Sequence, residues 1–142
     1  MGVLRTWPEH LDPVVKEFSE CFDSMERYEL LFQYAKCHPT PLPPDEWNDE
    51  NQVHGCQSRA HVICLVDDEG GFVLRGGADA QIVQGLMAVT AMAVNGMNPS
   101  KVAQMEPDYA EAMGIRSSLT PSRANGFLNM FRRVHEEAAM FV

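Results

Sequence analysis

The sequence predicts an α+β domain: a small antiparallel β-sheet packed with several α-helices. Three observations carry the prediction. Residues 12–37 repeat apolar side chains at helical spacing, residues 60–76 hold two β-rich runs around an acidic, glycine-containing turn, and residues 79–141 return to helical spacing. Helices, then strands, then helices is the block order of an α+β fold; a parallel sheet would alternate the two element types. The 142 residues fit one domain with its own core, spanning 1–142.

The first helix is expected over about residues 12–22, with Asp12 as its cap, Pro13 in the first turn, and Val14, Val15, Phe18, Cys21 and Phe22 on the inner face. A second follows over about 23–37. Asp23 and Glu26 have capping-box spacing, and Met25, Tyr28, Leu31, Phe32 and Ala35 form the buried stripe. "HPTPLPPDEWNDENQ" (38–52) contains four prolines, which remove donors and fix φ. It reads as an extended surface connector anchored by Leu42 and Trp47. "AHVICLV" and "GFVLRG", flanking "DDEGG", read as a hairpin covered on both faces, with Cys64 as a packing residue. A long buried helix follows, capped by Asp79, ended by Asn95-Gly96, and approached closely by another element at Gly85. Two short helices come next, the second closed by Gly114. The last helix has Thr120 as cap, Pro121 first, and Ala124, Phe127, Leu128, Phe131, Val134, Ala138 and Phe141 inward.

Net charge is −9, from 11 basic and 20 acidic residues. A nucleic-acid binder needs a basic face for phosphates, so that class is set aside. No apolar run approaches the ~18 residues that cross a bilayer, and no membrane association is expected. Cys21, Cys37, Cys56 and Cys64 form no Cys-x-x-Cys pair. Reduced thiols in the cytoplasm are the expectation.

Chemistry centres on "HGCQSRAHV" (54–62), where Cys56 sits between Gly55 and Gln57 at the entrance to a strand. A loop there gives a thiol access, and Gly55 lets the backbone turn so that N–H groups point at sulfur. Asp45, Glu46, Asp49 and Glu50 upstream would raise a thiol pKa if they came close, so strong activation is not read from the residues. A functional Cys56 and an incidental one stand level on pattern alone. Cys37, His38, His54, Cys56, His61 and Cys64 cluster in sequence, but lack the tight cysteine spacing of a zinc finger. No metal site is assigned, and a metal- or cluster-binding scaffold using Cys56 with nearby histidine or cysteine is the alternative. Arg123, in the first turn of the last helix, opposes the helix dipole there. It is solvated, or it is held by a carboxylate, or it serves an anionic sulfur species.

Several ordered motifs carry a resemblance: "ERYELLFQYAK" followed by "PLP", then "ENQVHGCQSRAHV", "GGADAQIVQGL" and "LTPSRANGFLNM". From about residue 20 to the end, the chain resembles the SufE family of sulfur-acceptor proteins, which includes CsdE. The resemblance implies an α+β fold related to the IscU scaffold. It implies a partner, a PLP-dependent cysteine desulfurase of SufS or CsdA type, and downstream iron–sulfur scaffold proteins. PLP would belong to the desulfurase, with no cofactor on this chain. It implies an accessory protein that activates the desulfurase, with no independent enzyme activity. By the same resemblance Cys56 is the persulfide acceptor, with Gly55, Gln57, Ser58 and His61 as its supporting loop. Arg123 and Asp79 match family positions and are expected to support the site or the partner contact. Two positions depart from the family pattern: His61 stands where tryptophan is usual, and Gly77-Ala78 where Asp-Ser is usual.

Overall fold

The structure, a computed structural model, describes residues 5–55 and 59–142. Among the described residues are seven α-helices and a two-stranded antiparallel sheet. The helices are α1 (Asp12–Ser19), α2 (Ser24–Lys36), α3 (Gln81–Val94), α4 (Pro99–Gln104), α5 (Asp108–Ala112), α6 (Ile115–Ser118) and α7 (Pro121–Met140). The strands are β1 (Ala60–Val66) and β2 (Phe72–Ala78). The expected fold class is the one observed.

Helix α3 is the centre of the molecule. It is apolar nearly all round and buries most of its residues, packing on α2 and β2. Gly85 is the contact point with α2: a Cβ there would lie 2.9 Å from the Leu31 carbonyl carbon. This close approach also sets the face that α2 buries. Leu31 is enclosed, while Met25 and Phe32, expected in the stripe, are exposed. The buried face is centred on Leu31, with Tyr28 and Tyr34 partly covered, and a one-residue offset rotates a helix face by ~100°.

The first helix is also shorter than expected. It ends at Ser19, so Phe22 falls outside it and is 90% exposed, and Cys21 is half-buried. Asp23 does cap α2, its Oδ1 accepting the Glu26 N–H at 3.0 Å, and Glu26 reaches back to accept the Phe22 N–H at 2.7 Å. Asp12 caps nothing. It is the first residue of α1, and its Oδ1 accepts instead from Arg5 and from the Trp7 indole. Thr120 caps α7 as expected, accepting the Arg123 N–H at 3.3 Å.

The sheet register pairs Ala60 with Ala78, His61 with Gly77, and so on to Val66 with Phe72. Ala60, Val62 and Cys64 face the helices and are buried. The proline-rich connector covers both outer edges of this sheet. Along β2, Leu42 donates to the Gly76 carbonyl at 2.8 Å and Gly76 donates to Thr40 at 3.2 Å. Along β1, Val53 donates to Ala60 at 2.7 Å and Val62 donates to Asn51 at 2.8 Å. An isolated strand pair exposes unpaired backbone on two sides, and the connector satisfies both. Between its edge contacts the connector crosses the sheet end at Trp47.

Candidate functional site

Residues 51–53 run antiparallel to residues 60–62, so the described chain on either side of residues 56–58 pairs as the two roots of a hairpin. Cys56, Gln57 and Ser58, the expected acceptor and two of its supporting residues, lie outside the described residues. The hairpin's roots are described, and both are held by side chains.

The N-terminal root is braced from α7. Arg133 donates to the Glu50 carbonyl at 2.7 Å and the Gln52 carbonyl at 3.0 Å, while its Nε pairs with Glu137 at 2.7 Å. One turn earlier, Asn129 donates to the Gly55 carbonyl at 3.2 Å. Spacing of i and i+4 puts both side chains on one face of α7. Gly55 has φ +84°.

The C-terminal root is braced from the β2–α3 turn. Asp79 Oδ1 accepts the Arg59 N–H at 2.9 Å, and the Asp79 N–H donates to the Arg59 carbonyl at 3.0 Å. This corrects the expected role of Asp79. Helix α3 starts at Gln81 with Ala80 as its cap residue and no side-chain cap. Asp79 lies two residues before the helix, and its carboxylate turns to the hairpin.

His61 joins the roots. Its Nδ1 lies 2.7 Å from Asn51 Oδ1, and Asn51 Nδ2 donates to the Glu46 carbonyl at 3.0 Å, so the proton in the first bond sits on Nδ1. Asn51 and Asn48 also exchange a pair of side-chain-to-backbone bonds, each of 3.0 Å. The His61 ring is 3% exposed, and its Nε2 has no partner among the described residues. Burial first, and then the positive Arg59, push its pKa below the usual histidine range, so the imidazole stays neutral.

Trp47 covers this ring, stacked at 4.8 Å and 12°. The Arg59 guanidinium lies 5.2 Å from the indole centroid, and the indole N–H donates to the Leu42 carbonyl at 3.0 Å. The two departures from the family pattern therefore meet: His61 and Gly77 are cross-strand partners under one indole. At Gly77 a Cβ would overlap the Leu42 carbonyl oxygen and lie 2.8 Å from Trp47 Nε1. Only glycine leaves room for the crossing connector.

Arg123 is exposed at the start of α7, and no ion pair among the described residues includes it. Cys64 is buried, and desolvation drives its thiol pKa far up, so it packs and does not react. Cys37 is exposed after α2. Among the described residues no three His, Cys, Asp or Glu side chains converge as a metal site. No helix among them is long and apolar enough to cross a membrane.

Sequence reasoning missed Asn51, Asn129 and Arg133. Asn129 and Arg133 sit on a long polar helix face where nothing local separates a brace from a solvated side chain. Their only sequence signal is the i, i+4 pairing beside an otherwise apolar stripe.

The profile of the SufE family, described as an Fe–S metabolism associated domain, matches residues 12–138. The chain belongs to the SufE family. An uncharacterised SufE-like protein of Synechocystis sp. is 37% identical over 136 residues, covering 96% of this chain and 84% of that protein. SufE-like protein 1, chloroplastic/mitochondrial, of Arabidopsis thaliana is 33% identical over 131 residues, covering 92% of this chain. The chain spans only 35% of that longer relative. A hypothetical protein of Thermus thermophilus, solved in solution, has a TM-score of 0.77 at 23% identity, covering 94% of this chain and 96% of that one. It shares the fold. SufE membership places the chain in Fe–S metabolism, with an accessory role.

Proposed function

We propose that this chain is a sulfur acceptor and carrier that works on Cys56. Its donor is the persulfide of a PLP-dependent cysteine desulfurase of SufS or CsdA type, and PLP stays with that partner. The chain stimulates the desulfurase by clearing its persulfide and delivers sulfur to downstream iron–sulfur scaffold proteins in the cytoplasm. The observation that best supports this reading is the braced hairpin. Both roots that flank residues 56–58 are fixed, by Arg133 and Asn129 on one side and Asp79 on the other. Roots held this way leave the core intact when a partner engages the segment between them.

The transfer step balances without an external oxidant or reductant. The Cys56 thiolate attacks the outer sulfur of the donor persulfide. A Cys56–sulfur bond forms as the donor's sulfur–sulfur bond breaks. The donor leaves as a thiolate and takes up the proton that Cys56 released. The product persulfide is anionic, and the exposed Arg123 guanidinium supplies a countercharge.

The test is intact-protein mass spectrometry after incubation with a SufS-type desulfurase, PLP and L-cysteine. Wild type is expected to gain the mass of sulfur at Cys56 and to raise alanine production, and Cys56→Ser to do neither. Equal sulfur gain in the variant would sink the assignment.

A further inference from the structure

We infer that the outward face of α2, with Phe22 leading into it, is a docking surface for a basic amphipathic helix of another protein. Phe22, Met25 and Phe32 are 90%, 66% and 39% exposed. Met25, Glu29 and Phe32 stand at i, i+4 and i+7, so they share one side of the helix, and Phe22 continues the line three residues before Met25. Single exposed apolar side chains are ordinary, but an apolar stripe framed by polar groups marks an interaction surface. The stripe is built in. The Phe22 N–H donates to Glu26 Oε2 at 2.7 Å, and Asp23 Oδ1 accepts the Glu26 N–H, so the chain is fixed at Phe22 just before the helix starts. The opposite side of α2 is committed to the core, where Leu31 meets Gly85 and Tyr28 donates to the Ser118 carbonyl. A rotation that hid Met25 and Phe32 would uncover Leu31.

Charge selects the occupant. Glu20, Asp23, Glu26 and Glu29 are exposed along the stripe, and among the described residues none of them forms an ion pair. The cations of α2 do not offset them: Arg27 turns away to the Met113 carbonyl and the Ser118 hydroxyl, and Lys36 lies at the far end. Beside the stripe is a recess of about 170 Å³ lined by Leu30, Gln33, Tyr34, Cys37 and Glu17. The Glu17 carboxylate accepts the Tyr34 hydroxyl there at 2.6 Å. Apolar walls with a carboxylate fit the stem and the cation of a lysine or arginine. A second copy of this chain would bring the same carboxylates face to face, which like-charge repulsion opposes. A helix with leucine-type side chains along one side and lysine or arginine on its flanks answers the apolar line and the acidic frame together.

The experiment titrates the full-length, isotope-labelled protein with a synthetic amidated peptide of about five helical turns, leucine at i, i+3, i+4 and i+7 and lysine or arginine elsewhere, and follows backbone amide shifts by NMR. The largest shifts should fall within residues 20–36. Raising NaCl from about 0.05 M to about 0.5 M should weaken binding about threefold or more. Phe22→Ser, Met25→Ser and Phe32→Ser made together should weaken it about tenfold or more, with the Tm little changed because the three side chains are exposed. If that variant loses its fold, Glu20→Gln with Glu29→Gln decides: weakening of about threefold supports the proposal, and none overturns it. Largest shifts elsewhere, no saturation at millimolar peptide, equal affinity in the triple variant, or equal binding of a peptide with glutamate at every cationic position overturns it too. So does a dimer of the free protein that the triple substitution dissociates, since a second copy would then be the occupant. Peptide binding needs neither Cys56 nor a desulfurase, so its failure leaves the acceptor reading standing, and a wild type that takes no sulfur leaves the docking surface standing.

Discussion

Asp79 and Arg59 close a two-bond ring: the carboxylate of one accepts the backbone N–H of the other at 2.9 Å, and the reverse backbone bond measures 3.0 Å. The ring anchors the C-terminal root of the hairpin to the turn that feeds α3. An acceptor at this position is what matters. Asp79→Ala should speed hydrogen exchange at the Arg59 amide by about fivefold, the value of a net hydrogen bond of ~1 kcal/mol. Asp79→Asn keeps an acceptor oxygen and should exchange close to wild type. Equal exchange in wild type and alanine variant would show that the ring does not hold the root.

The brace from α7 is stronger, because one guanidinium serves two carbonyls and a carboxylate. Arg133→Met should cost ~1–3 kcal/mol, since partly buried acceptors lose charged donors. For a chain of this size that lowers the Tm by roughly 3–10 °C. Arg133→Lys should recover little of it, as a single ammonium lacks the planar fork that spans Glu50 and Gln52. A Tm unchanged in the methionine variant would count against the brace.

The crossing at Gly77 makes the third prediction. Gly77→Ala places a methyl group against the Leu42 carbonyl and 2.8 Å from Trp47 Nε1, and backbone cannot yield as a flexible side chain can. The expected cost is ~1–3 kcal/mol. The connector should lift, freeing Trp47 and shifting its fluorescence to the red. Denaturant melts with an unchanged midpoint would refute the close approach.

Much of this is legible in the sequence, for reasons that differ by element. The stripe of α7 from Phe127 to Ala138 and its Thr120 cap follow from local rules, because cap and stripe lie within one element, whereas Phe141, expected inward, falls past the helix end and is exposed. The hairpin of β1 and β2 is equally local, a turn between two β-rich runs. The inner face of α2 is not legible locally, because it is chosen by Gly85, far along the chain. The role of Asp79 is hidden for another reason: a helix cap and a brace to Arg59 look identical from one side of the contact. Of the candidate site, the motif around Cys56 and the family resemblance supply the proposed acceptor, while the described residues supply only the roots on either side of it. Trp47 is visible as an anchor, but its two partners, His61 and Arg59, lie across the sheet end, and only the fold brings them together.

The last prediction concerns acid. His38 is buried at the start of the connector, its Nδ1 accepting the Thr40 N–H at 3.0 Å, and desolvation lowers its pKa to about 4. His61 is lowered as well, by burial and then by Arg59. In the unfolded chain both titrate near the ordinary value of about 6.5. Below that pH the unfolded state binds protons that the folded state refuses, so stability rises with pH across this window and falls on acidification. The contribution of His38 is complete above pH ~6.5 and is lost progressively toward its folded pKa of about 4, about 3 kcal/mol in all. Urea melts between pH 7 and pH 4.5 should show a falling midpoint with unchanged slope m. His38→Asn keeps an acceptor for Thr40 but cannot titrate, and should flatten most of that fall. A midpoint equally steep in pH for wild type and variant would place the acid sensitivity elsewhere.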